Sequence, residues 1–158
     1  MVILNLKFLA KSLGQTLHFS ISFPVNVIVS VYFYTVYFID RELIYPIIMQ
    51  DLYKQWMSNT EHGLILPVAI FNLLADKHEI KKGLSAVLLI TATAGYSVWI
   101  IHIFNVTGKW VYPFLNALGT DAVLYKFLPI TAAVALIIQH IGFKIYEKVH
   151  CNKKLKQK

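Results

Sequence analysis

Residues 19–46 read FSISFPVNVIVSVYFYTVYFIDRELIYP. The first twenty, Phe19 to Phe38, carry no charge; Asp40-Arg41-Glu42 and then Ile44-Tyr45-Pro46 follow. At a rise of ~1.5 Å per residue such a run is about 30 Å long, the thickness of a bilayer's hydrocarbon core. The return of charge followed by tyrosine and proline marks where a helix leaves lipid, because tyrosine favours the interface and proline cannot continue a helix. The pattern recurs: after Lys82 there is no Asp, Glu, Lys or Arg until Lys109, and Val111-Tyr112-Pro113 comes directly after. A duplication of span, Tyr-Pro turn and second span would be parallel, not inverted. Two independent helix exits would produce the same pattern.

Composition extends this reading to the whole chain. The 158 residues are 57% hydrophobic and 15% charged, with mean hydropathy +0.58. Soluble domains carry about 25% charged residues, so lipid must be part of this chain's solvent. Lys and Arg outnumber Asp and Glu by 15 to 8. In a membrane protein that excess reports orientation, and no nucleic-acid partner is expected. Cys151 is the only cysteine, which excludes an internal disulfide and leaves no cysteine cluster for a metal. Lys7 and Lys11 precede the first apolar run as in a signal peptide, but the run is too long and lacks a small-residue cleavage site, so it is expected to be retained.

The fold expected is an all-α integral membrane protein of about four transmembrane helices in one domain. The spans fall at about 19–38, 60–76, 84–104 and 123–143, and residues 144–158 form a basic tail. The second span is short: its uncharged stretch, His62 to Ala75, has 14 residues and must draw Glu61 and His62 below the headgroups to cross. Lys126 near the start of the fourth can snorkel. Lys7, Lys11, Lys77, Lys81, Lys82, Lys144, Lys148, Lys153, Lys154, Lys156 and Lys158 share one side. Arg41, Lys54, Lys109 and Lys126 occupy the other. Retention of basic residues in the cytosol puts both termini there and both Tyr-Pro turns on the opposite face. The tail should lie along the anionic leaflet, and Lys154-Leu155-Lys156-Gln157-Lys158 looks like an endoplasmic-reticulum retrieval signal. Cys151 is read as a plain cytosolic thiol.

This topology gathers Asp40, Arg41, Glu42, Tyr45, Glu61, His62, His102, Asn105, Thr107, Tyr112 and Asp121 at the non-cytoplasmic end. Ionisable groups at membrane depth are functional candidates by default. His62 leads, since histidine changes charge near neutral pH and is the commonest general base. It shares a helical face with Ile65, Ala69, Asn72 and Asp76. A merely hydrated interfacial histidine accounts equally for its position. His102 shares a face with Thr91, Gly95 and Trp99, where Gly95 suggests a closely packed neighbour helix. Asp40-Arg41-Glu42 reads as a solvated boundary that pairs internally or with headgroups. Asn105-Val106-Thr107 fits the glycosylation pattern, too near the membrane to expect modification. Zinc-protease, Gly-x-Ser-x-Gly, P-loop and dinucleotide motifs are all missing, and no cofactor or metal is expected.

Phe23-Pro24-Val25, Asp40 to Pro46, Trp56, His62, Leu66-Pro67, Gly95-Tyr96, Trp99 and the string Val106-Thr107-Gly108-Lys109-Trp110-Val111-Tyr112-Pro113-Phe114-Leu115 resemble the androgen-induced gene 1 and androgen-dependent TFPI-regulating protein family. The resemblance implies a six-helix membrane fold of which this chain looks like the last four helices. It also implies threonine hydrolases acting on fatty acid esters of hydroxy fatty acids, with the essential histidine at His62. The nucleophilic threonine belongs to an earlier segment that nothing in this chain matches. Thr16 lies a membrane thickness from His62. The Asn-His that the resemblance puts before the histidine reads Ser58-Asn59 here, and the threonine after it reads Gly63. Two expectations follow. In one, His62 is the general base of a lipid ester hydrolase whose hydroxyl comes from another segment. In the other, the chain is a non-catalytic, truncated or diverged membrane protein that binds lipid or partner helices.

Overall fold

The computed structural model describes residues 12–75 and 81–155, with side chains as far as 150. Among these residues all regular structure is helical. The elements are α1 (Ser12–Ile39), α2 (Gln55–Ala75), α3 (Lys82–Thr107), the short α4 (Pro113–Leu118) and α5 (Thr120–His150). The last helix continues to Leu155. α1, α3 and α5 are long and apolar enough to cross a membrane. α2 is shorter, 21 residues or about 30 Å, and its first two turns are largely polar.

Each helix runs past the span expected for it, because helical hydrogen bonding does not stop where charge reappears. α1 begins at Ser12 and α5 runs on to Leu155, while α2 begins at Gln55 and not near residue 60. Its opening turns belong to the packed face: Ser58 is buried, and Asn59 and His62 meet Tyr34 and Phe33 of α1. Glu61 and His62 therefore lie in its second turn. Asp76, Lys7, Lys11, Lys77, Lys156 and Lys158, used in the sequence reading, lie outside the described residues.

α1 packs against α2 and α5, its first turns touch α3, and α5 reaches both α2 and α3. Buried side chains form three layers along the bundle. Phe19, Phe23, Ala69, Leu73 and Phe143 make one end, Ile28, Leu89 and Ala135 the middle, and Ile100, Trp110, Leu115 and Val123 the other end. In the first layer α5 approaches α1 so closely that a Cβ on Gly142 would meet Phe23 Cε1 at 2.6 Å. Outward faces carry Val25, Val29, Leu64, Phe71, Val87 and Ile137, as expected where lipid is the solvent.

Proline shapes two of the spans. Pro24 has no N–H, so the carbonyl of Ser20 four residues earlier receives no helical bond from it, and α1 widens into a π turn over His18–Ser22. Gln139 of α5, 2% exposed, fills the gap: its Nε2 donates to Ser20 O at 2.8 Å and to Ser85 O of α3 at 3.0 Å. One amide thus joins three helices where water cannot satisfy a carbonyl. α5 has a matching π turn over Val123–Phe127 directly before Pro129.

The Thr107 to Pro113 string is a folded turn. Gly108 adopts φ +69°, a left-handed helix cap that a side chain would strain, and its N–H donates to Phe104 O at 2.8 Å. Thr107 Oγ1 accepts from Lys109 N at 3.2 Å, and Trp110 stacks on Phe104 with centroids 4.2 Å apart. Tyr112 pairs with Tyr96 of α3 at 2.6 Å, and Pro113 begins α4. α4 touches the 3-10 turn Arg41–Leu43, so the two Tyr-Pro turns meet at one end of the bundle. Their local structures differ: Tyr45 is buried and bonds within its own loop, whereas Tyr112 is half-exposed and bonds back to a helix. Gly95 corrects one expectation. A Cβ there would meet nothing within 4 Å, so no described helix packs closely on that face.

Candidate functional site

His62 sits where α2 crosses the aromatic face of α1. Its ring lies flat on Phe33, centroids 3.8 Å apart and planes 9° from parallel. Phe33 is 3% exposed and itself stacks on Tyr37 one turn further along α1. His62 Nδ1 lies 2.8 Å from the carbonyl oxygen of Ser58, one turn back on α2. A carbonyl can only accept, so Nδ1 carries the proton and donates it. In the neutral ring this leaves the lone pair on Nε2. Stacking fixes the ring plane and the Ser58 bond fixes its rotation, which is the pre-orientation that a base requires.

The neighbouring groups come from the same helix pair and the loop joining it. Tyr34 Oη donates to Asn59 O at 2.8 Å. Asn59 Oδ1, on the turn before His62, is buried without a hydrogen-bond partner. A Cβ at Gly63 would lie 2.7 Å from Tyr34 Oη, so the tyrosine hydroxyl occupies the space that a side chain after His62 would need. Gln55 donates to Tyr37 Oη and accepts from Arg41 Nη1 at 3.4 Å. Tyr45 Oη donates to Tyr53 O. Tyr53 Oη has no partner at standard hydrogen-bond geometry, yet the Glu61 carboxylate beside it draws on the phenol proton. That pull first, then burial and the carboxylate's charge, raises the phenol from 10.0 to about 12.

Arg41, Tyr45, Glu61 and His62 therefore belong to one helix pair and its loop. Asp40 and Glu42 serve the loop itself, accepting from Glu42 N and Ile47 N, each at 3.0 Å. This agrees with a boundary that pairs internally. His102 is exposed and has Trp99 of its own helix for a neighbour, at 6.0 Å. Asn105 and Asp121 are exposed, and Thr107 and Tyr112 are engaged in their turn. Several threonine hydroxyls are committed elsewhere: Thr16 to Ser12 O, Thr93 to Leu89 O, Thr107 to Ile103 O and Thr131 to Tyr32 Oη. Thr16 also lies about 25 Å along α1 from the level of Phe33. An apolar groove of about 270 Å³ between α3 and α5, lined by Leu89, Thr93, Ser97, Leu124 and Leu136, shares no residue with this site. Among the described residues no cluster of His, Cys, Asp and Glu could hold a metal ion.

The family described as FAR-17a/AIG1-like protein matches residues 4–147. The chain belongs to this family. Human androgen-induced gene 1 protein is 34% identical over 110 residues, covering 68% of this chain and 45% of the relative. Mouse androgen-dependent TFPI-regulating protein is 28% identical over 124 residues, 78% of this chain and 54% of the relative. The protein of that name from Mesocricetus auratus is 29% identical over 147 residues, 92% and 61%. The chain thus spans about half the length of the curated relatives it matches. No solved structure matches it. Within this FAR-17a/AIG1-like chain, sequence reasoning named His62 as a candidate but not its neighbours Phe33 and Tyr34, whose contacts with it depend on the register between α1 and α2. It also missed Gln139, although an amide within the apolar run of residues 127–143 was a visible signal.

Proposed function

We propose that this multi-pass membrane protein takes part in hydrolysis of a lipid ester, with His62 as general base. The observation that carries the reading is the His62 ring held by Phe33 and Ser58 O, with its lone pair on Nε2. The resemblance read from the sequence supplies the substrate class, fatty acid esters of hydroxy fatty acids, and a threonine nucleophile on a segment that this chain does not match. In the first step Nε2 takes the threonine proton as its oxygen attacks the ester carbonyl. The ester C–O bond breaks, the departing alkoxide takes the proton back from Nε2, and an acyl-threonine remains. Water then attacks that acyl group with Nε2 again accepting the proton, which releases the fatty acid and regenerates the hydroxyl. Asn59 Oδ1, an open acceptor on the preceding turn, is placed to take a hydrogen bond from a hydroxyl donor at the site. The arrangement of basic residues supports both termini in the cytosol and the His62 end on the other face, and the Lys154-Leu155-Lys156-Gln157-Lys158 string supports the endoplasmic reticulum.

The test is labelling of membrane-expressed protein with a fluorophosphonate probe, before and after His62→Ala. Loss of labelling in the variant is the expected result; equal labelling of both forms would remove His62 from the mechanism.

A second reading has its own support. Stacking on Phe33 and bonding to Ser58 O also describe a histidine that packs α2 onto α1, and Tyr34 Oη fills the space beside Gly63 where the resemblance places a threonine. In that reading the protein binds lipid or partner helices without chemistry, and His62→Ala lowers stability with no activity to lose.

A further inference from the structure

The loop between α1 and α2, residues 40–54, pairs several of its polar groups within itself and turns its apolar side chains outward. Asp40 accepts from Glu42 N at 3.0 Å, and Glu42 Oε2 accepts from Ile47 N at 3.0 Å. Tyr45 N donates to Arg41 O at 2.7 Å, and Tyr53 N to Met49 O at 2.8 Å. Tyr45 is 3% exposed and closes the loop by donating to Tyr53 O. Against this internal pairing, Ile48 is 80% and Leu52 84% exposed, with Ile47 at 64% and Trp56 at 67%. Such a patch on a loop in water is unfavourable and marks a contact surface. It follows in the chain on the end of a helix long and apolar enough to cross a membrane, where Phe38 and Ile39 are 80% and 77% exposed.

We propose that residues 40–54 form a membrane-seated strap whose apolar side chains lie in the headgroup and acyl boundary of the leaflet at the Tyr-Pro end. The occupant of the patch is phospholipid of that leaflet. Three observations converge on lipid. The patch follows shortly in the chain after the exposed apolar end of α1. Trp56, whose residue type favours the interface, stands at its edge. The loop's carboxylates and carbonyls take up backbone N–H groups and the Tyr45 hydroxyl internally, which a backbone entering a water-poor region requires. Asp51 and Lys54 are exposed charges on the same strap and give it the amphipathic character of an interfacial segment.

Because Cys151 is the only cysteine, a Cys151→Ser background allows single probes. Ile48→Cys, Leu52→Cys, Asp51→Cys and, as a reference inserted in lipid, Ile130→Cys on the exposed face of α5 would each be labelled with a nitrobenzoxadiazole fluorophore. Each would be reconstituted into phosphatidylcholine vesicles with or without phosphatidylcholine bearing a nitroxide near its headgroup, with iodide supplied on both sides. Probes at 48 and 52 should lose most of their emission to the nitroxide lipid and little to iodide, while the probe at 51 should be quenched by iodide. Iodide quenching at 48 and 52 equal to that at 51 would overturn the proposal. So would protection from both quenchers, which would mean that protein, not lipid, covers the strap.

Discussion

At His62 a backbone carbonyl decides which nitrogen can act: with Nδ1 committed to Ser58 O, the lone pair belongs to Nε2. The sequence offered this residue as a candidate because it opens a short apolar stretch and matches a position in the family resemblance. It did not offer the partner Phe33, since the register between two helices is set by packing along their whole length and not by any local motif. Tyr53 was missed for a related reason, lying in a loop that sequence reading treated as solvated. Its phenol makes a residue-scale prediction. The shift from 10.0 to about 12 favours the protonated form in the folded protein, so the contribution to stability is complete below pH 10 and is lost as pH rises toward 12. Ultraviolet difference titration of the wild type against Tyr53→Phe should show a tyrosinate step near 12. Glu61→Gln should move that step back toward 10, because it removes the carboxylate that draws on the phenol proton. A wild-type step already near 10 would refute the Tyr53–Glu61 coupling.

Helices α1, α3 and α5 could be read from gaps in the charge pattern, because lipid enforces length and composition together. α2 was half legible. Its 14-residue uncharged stretch hid a 21-residue helix whose polar opening turns pack through Ser58 and His62 against α1. The string Thr107 to Pro113 carried much of the resemblance, and its structural role explains why those residue types occur together. A left-handed glycine, a capping threonine, a stacked tryptophan and a helix-starting proline build one turn. At this scale the sharpest prediction concerns Gln139. Replacing it with leucine, Gln139→Leu, keeps the volume roughly constant but leaves Ser20 O, already without a proline donor, unpaired in the bundle. The loss should be about 1–2 kcal/mol in detergent unfolding. A surface change such as Ile137→Leu should leave stability nearly unchanged. Equal stability of Gln139→Leu and wild type would show that the three-helix bond contributes nothing.

For the whole molecule, the α1–α2 loop, the second Tyr-Pro turn and His62 lie toward one end of the bundle. α4 touches the Arg41–Leu43 turn, so the end that holds His62 also holds both Tyr-Pro turns and the strap. The groove between α3 and α5 shares no residue with the His62 site. The proposed hydrolytic role rests on one oriented imidazole. Its most direct test is release of fatty acid from an ester of a hydroxy fatty acid by the protein in native membranes, comparing wild type with His62→Ala of the same unfolding temperature. A fall on the order of 10²–10⁴-fold in the variant is the predicted result for loss of a general base. Undiminished release by His62→Ala, or no release by the wild type, would contradict the account.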